Sequence, residues 1–88
     1  MDAPRPNPSR DGATLGVFMP QDGPVRVTVY DIAGRRVGAV FTGQLSAGDH
    51  VLLWDGRGTT GGRLAGGVYH VVSEAFGRRV SQSLIVTR

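Results

Sequence analysis

Leu52-Leu53-Trp54-Asp55-Gly56, followed after a glycine-rich stretch by Gly66-Gly67-Val68-Tyr69, decides how this chain is read. Trp54 is the sole tryptophan and closes an apolar run. Asp55-Gly56 is a turn dipeptide, because glycine accepts positive φ and aspartate can hydrogen-bond its own backbone. Gly56, Gly58, Gly61 and Gly62 disfavour helix in the connection that they punctuate. Val68-Tyr69 then restarts an extended apolar run. Two strands therefore flank a long glycine connection, with Trp54 at one mouth and Tyr69 at the other. Trp54 is expected to anchor the core. Gly67, where the chain enters the second strand, is expected to be required by positive φ or by close backbone approach.

Alternation continues on both sides of this stretch. Upstream, Leu15, Val17 and Met19 share one face of a strand that Pro20 ends, while Thr14, Gly16 and Phe18 share the other. Phe18 on that outer face covers an edge or touches another protein. After the Asp22-Gly23 turn, Val25, Val27 and Val29 alternate with Arg26, Thr28 and Tyr30. Gly34 permits a tight reversal, with Ile32 placed to plug the core beneath it. A third strand spans 37–42, with Val37, Ala39 and Phe41 on one face and Val40 on the other. His50, Leu52 and Trp54 alternate with Val51 and Leu53, and apolar residues on both faces predict a central strand. Gly62 to Ala65 forms a short strand. Val68 to Glu74 sets Tyr69, Val71 and Ser73 opposite Val68, His70 and Val72. Phe76-Gly77 turns the chain into a last strand over 80–87, with Leu84 and Val86 inward. About seven short strands with glycine turns and no helical period predict an all-β, antiparallel sandwich.

Residues 1–12 are polar and proline-rich and read as an extended leader; residues 13–88 form a single domain. Pro6-Asn7-Pro8 in the leader, Tyr30-Asp31-Ile32-Ala33-Gly34-Arg35-Arg36-Val37, Ala47-Gly48, Trp54-Asp55-Gly56 and Gly67-Val68-Tyr69 occur in that order. In order and spacing the chain resembles the small immunoglobulin-like domains at the C-termini of many secreted bacterial proteins. These include the immunoglobulin-like domain of the flagellar hook-capping protein and the C-terminal sorting domains of type IX secretion cargo. The resemblance implies an immunoglobulin-like sandwich that acts by being recognised or by packing, as a sorting domain or as a structural domain of an extracellular assembly. Ser73 departs from it, standing where the family usually has an apolar residue.

The chain has 88 residues, no cysteine and a formal charge of +3 from ten basic and seven acidic residues. Disulfides and thiolate chemistry are excluded. Every basic residue is arginine, and the excess is too small and scattered to demand nucleic acid. No apolar run approaches the ~20 residues of a membrane-spanning helix, and the first residues lack the apolar core of a signal peptide. The mature chain was cut from something longer, stays in the cytosol or leaves by another route.

Gly56-Arg57-Gly58-Thr59-Thr60-Gly61 matches the dinucleotide fingerprint, but that chemistry needs a helix behind the glycines, and a strand comes next here. His50 and His70 are the only histidines, too few for a zinc site without convergent carboxylates. Asp55 is the one carboxylate in the glycine loop, where calcium would want several. No serine has a nucleophile-elbow context, and Asp31, Asp49 and Asp55 sit at turns. No catalytic, cofactor or metal residue is expected, and no small-molecule substrate.

The expected function is a non-enzymatic interaction module with a protein partner in an exported or cell-envelope complex: extracellular, cell-surface or periplasmic. The interface candidates are Phe18, the doublets Arg35-Arg36 and Arg78-Arg79, and Val80 and Gln82 of the final strand, which carries no lysine or proline to blunt an edge. The doublets serve as solvated turn charge or meet an acidic partner, a phosphate headgroup or a lipopolysaccharide-like surface. The alternative is a carbohydrate- or surface-binding module using Phe18, Tyr30 or Phe76.

Overall fold

The computed structural model describes Pro4, Arg5 and residues 12–87. The Pro6-Asn7-Pro8 motif lies outside the described residues. The described residues form six strands, in the order β1 (Ala13–Met19), β2 (Gly23–Asp31), β3 (Arg36–Leu45), β4 (Gly48–Trp54), β5 (Gly67–Ala75) and β6 (Arg78–Val86). All pairings are antiparallel. β1 and β4 make a two-stranded sheet, and β3-β2-β5-β6 a four-stranded one. The described residues contain no helix, and the architecture is an immunoglobulin-like sandwich. It has one named strand fewer than expected. In place of a strand at 62–65 there is a single bridge between Arg57 and Arg63.

The alternating pattern places most of the core correctly. Leu15, Val17 and Met19 face Val25, Val27 and Val29, and Leu52, Trp54, Tyr69, Val71, Leu84 and Val86 complete the buried cluster. β3 departs from simple alternation. Its pairing with β2 skips a residue between Val27 and Thr28 and another between Val29 and Tyr30. Each β-bulge adds one residue to β3 and re-aims the side chains beyond it. Val37, Val40 and Phe41 therefore all pack on the core, and Ala39, expected to share a face with Val37 and Phe41, is exposed.

Two further expectations are corrected. β4 is not central, since its one described partner is β1. Val51 and Leu53 are 72% and 74% exposed, so apolar residues on both faces mark an uncovered outer face. Ile32 does not plug the core; it is 79% exposed at the tip of the β2–β3 hairpin. That turn is held by Asp31, whose Oδ1 accepts the backbone N–H groups of Ala33 and Arg35 while Gly34 takes φ +83°. The side chain at 32 is free to project into solvent.

Trp54 is 5% exposed and donates its indole N–H to the Arg57 carbonyl at 3.2 Å. The glycine loop folds back over β3 to provide that carbonyl. Asp55 Oδ1 accepts the Arg57 N–H, and Thr59 N–H reaches the Val37 carbonyl at 2.9 Å. The approach is close enough that a Cβ on Gly58 would lie 2.8 Å from the Val37 oxygen. Gly67 is different: its φ is not positive, and an added Cβ would meet nothing nearer than Tyr69 at 3.9 Å. The steric need for glycine falls on Gly58.

Trp54→Ala removes the largest core side chain and its hydrogen bond. It should cost about 3–5 kcal/mol in a urea melt. Gly58→Ala should lose more than ~1 kcal/mol through overpacking against backbone, whereas Gly67→Ala should stay within about 0.5 kcal/mol of the parent. Equal melting of the two glycine variants would contradict the loop packing.

Candidate functional site

The two sheets are unequal, and the site results from that. β6 presents Val80, Gln82, Leu84 and Val86 on the face that points inward. Leu84 and Val86 are buried beneath the smaller sheet, but Val80 is 41% exposed. Beyond it lies a groove of about 600 Å³ between the end of β1 and the start of β6. Val17, Met19 and Ser73 line it, Phe18, Phe76 and Val80 stand at its rim, and Arg78 is the one charged lining residue. Ser73 is paired with Val27 on one side and Val80 on the other. A polar side chain is tolerated there because the position borders the groove rather than the sealed core.

Phe76 is the residue that sequence reasoning undervalued. Phe76-Gly77 forms the expected two-residue turn, with φ +53° and +71°. Positive φ at both central positions is the type I′ geometry, which favours Asn-Gly or Gly-Gly. A phenylalanine there costs roughly 1–2 kcal/mol in backbone strain. Its ring rests on buried Gly23, where an added Cβ would come within 2.7 Å of the ring. An aromatic in the first position of an otherwise ordinary turn dipeptide was the available signal.

Phe18 is 64% exposed on the outer face of β1, as its position in the alternation predicts. The arginine doublets do not converge. Arg35 and Arg36 come after the β2–β3 turn, and Arg78 and Arg79 come after the β5–β6 turn at the opposite end of the sheet. Arg35 is ion-paired with Asp31 at 2.9 Å. Arg79 lies over the Tyr30 ring, 5.7 Å from its centroid, so that ring is no open stacking platform. Gln82, Ser83, Ile85 and Thr87 engage in further interactions, which confines the open part of the β6 edge to its first half. Of the candidate interface residues, the fold brings Phe18, Arg78 and Val80 to one groove and leaves Arg35 and Arg36 apart from it.

The other sequence candidates have structural occupations. His50 Nε2 is 2.7 Å from the Ser46 carbonyl. In the glycine loop the N–H groups of Gly58, Thr59 and Gly61 are bonded to the carbonyls of Gly62, Val37 and Gly58, so they are not aimed at a ligand. Tyr69 is buried and its hydroxyl donates to the Ala65 carbonyl at 2.6 Å. On the outer face of the larger sheet, Thr28 and Val72 are buried as a directly paired couple, and Thr28 Oγ1 has no hydrogen-bond partner among the described residues.

The model of the FlgD Ig-like domain family matches residues 8–77. The chain belongs to that family. The fold of this FlgD Ig-like domain is also similar to part of PorZ from Porphyromonas gingivalis, described as an essential bacterial surface component of the type-IX secretion system. The TM-score is 0.67 and the identity 26%, over 97% of this chain and 11% of PorZ. The domain thus spans about a tenth of the length of the protein it resembles. No curated protein sequence matches it.

The Asp31 turn gives a pH-dependent test of the hairpin. The Arg35 backbone N–H foremost, then the Arg35 side chain, holds the Asp31 carboxyl below its ordinary value, against the opposing effect of partial burial. A depressed folded-state value means that the contribution is complete above the unfolded carboxylate value and lost as pH falls through the folded one. In an acid titration followed by NMR, the Asp31 carboxyl should titrate below the ordinary aspartate value. The Ala33 and Arg35 amide shifts should change with the same midpoint.

Proposed function

We propose that this FlgD Ig-like domain is a non-enzymatic assembly module, working as an accessory subunit or a sorting and assembly domain of a larger exported or cell-envelope complex. In this reading it acts outside the cytoplasm, at the cell surface, in the periplasm or beyond, and its partner is a protein. Residues 13–88 form the module, preceded by the proline-rich leader. Family membership and the likeness to part of a bacterial surface component support this reading. The observation that carries it is the uncovered inner face beside β6, where Phe18, Phe76 and Val80 surround a groove. Exposed aromatics around a concave apolar floor are the anatomy of a protein-binding hot spot. The strain held at Phe76 supports the same assignment, since backbone strain of this kind gathers at binding sites. The Arg79 cover on Tyr30 removes one of the three aromatic faces that a glycan platform would use, while Phe18 and Phe76 stay exposed at the groove.

A photo-crosslinking residue replacing Phe18 or Val80, expressed in the cell that makes the protein, should trap a discrete higher-mass adduct. The same residue replacing Thr60 in the glycine loop should trap none. Phe76→Asn removes the ring but suits the turn, so stability should change by less than about 1 kcal/mol while the adduct disappears. Monomer alone at all three positions would refute the assembly reading.

A further inference from the structure

The groove has main-chain hydrogen-bonding groups along one wall. Thr14 exchanges both of its backbone hydrogen bonds with Arg5, at 2.9 and 2.7 Å, so its N–H and C=O point away from β4 to the outer edge of β1. In an antiparallel strand alternate residues direct these groups to the same side. Gly16 and Phe18 therefore present theirs to that edge, and no described residue outside the β1–β4 pair bonds to them. Pro20 ends the open stretch. Nothing along it carries the charge or proline that blunts an exposed edge. Opposite stands the first half of β6, whose partner in the described pairing is β5.

Arg5 shows what an added strand does here. Its neighbour Pro4 falls opposite Leu15, on the inward face, and is fully buried. By the same register, a residue placed opposite Val17 points into the groove, where Ser73 and Arg78 also line the wall. Arg78 has no ion-pair partner among the described residues. The remaining wall is apolar, from Met19, Phe76 and Val80.

We propose that the groove takes an extended strand of a partner protein, which pairs its main chain with Gly16 and Phe18 and directs an acidic side chain at Arg78. The proposal rests on the assembly reading and names its mode. Main-chain pairing to the edge supplies affinity independent of sequence, and the inward positions supply selectivity. The carboxylate is selected because Arg78 is the one charge that the described residues offer in the groove. An apolar residue two positions from it, opposite Met19, falls on the same inward face, and the position opposite Leu15 is already held by Pro4.

The test uses the whole chain, isotope-labelled, titrated with acetyl-Thr-Val-Thr-Asp-Thr-amide, which in this register stops short of Pro4, and with the same peptide carrying Asn or Lys in place of Asp. The Asp peptide should shift the Gly16 and Phe18 resonances saturably. Exchange of those two amides should slow at least about tenfold at saturation. It should bind at least about threefold more tightly than the Asn peptide, the scale of an exposed charge pair, and the Lys peptide should bind most weakly. Arg78→Gln should erase the preference without abolishing binding. Gly16→Pro should abolish binding, because proline removes the outward N–H while leaving the side bonded to β4. If that variant does not fold, the amide protection in the parent decides. The proposal is overturned if no peptide gives saturable shifts at several-millimolar concentration, if shifts centre on Val51 and Leu53, or if a folded Gly16→Pro binds as the parent does. Crosslinked adducts in the cell without peptide binding would sink the strand mode and leave the assembly reading intact. Peptide binding without adducts would do the reverse.

Discussion

Among the described residues, a sheet of two strands faces one of four. The inner face of β3-β2-β5-β6 carries apolar side chains across its width, and β1 with β4 can bury only part of it. The hydrophobic effect fills the middle first, where Val27, Val29 and Val71 are fully buried between the sheets. The two flanks are then handled differently. On the β3 flank, bulges turn Val37, Val40 and Phe41 inward, and the glycine loop folds over the strand. On the β6 flank nothing described closes the start of the strand, and the groove is what remains.

The glycine loop shows how closure is achieved on the first flank. Its backbone comes within van der Waals range of β3 because Gly38 and Gly58 have no side chains there. The loop carbonyl of Arg57 satisfies the buried indole N–H of Trp54, which would otherwise carry the full cost of an unpaired donor. Gly12, at φ +119°, lies so close to the Trp54 carbonyl that a Cβ would collide with it. Trp54 thus ties the loop, β4 and the entry to β1 at one end of the sandwich. The groove lies at the other end, so the sealed and open ends are separated by the length of β1.

The groove also explains three residues that make poor sense as packing alone. Ser73 sits on an inward face, Val80 is half-exposed on an inward face, and Phe76 accepts a backbone conformation suited to asparagine or glycine. Each is costly or wasteful in a closed sandwich and reasonable beside an open one. The β4 outer face, with Val51 and Leu53 exposed, shows that this small domain leaves apolar surface uncovered in a second place, and it fits a module that is buried against other protein.

Local pattern determined much of this in advance. Period-two alternation located β1, β2, β5 and β6 and their inward residues, and turn chemistry located the reversals at Gly34 and Phe76-Gly77. The ordered motifs pointed to the immunoglobulin-like family. Alternation reports that a residue shares a face with its second neighbours, but not whether anything covers that face. For that reason Val51 and Leu53 read as doubly buried and Ile32 as a core plug. Bulges break the period without a sequence mark, which misassigned Ala39. The need for glycine at position 58 rather than 67 depends on a carbonyl contributed by β3, far away in sequence. Of the candidate interface residues, only the tertiary arrangement could decide that Phe18, Arg78 and Val80 meet at one groove while Arg35 and Arg36 lie at the other end, because strand pairing sets which turns share an end of the sheet.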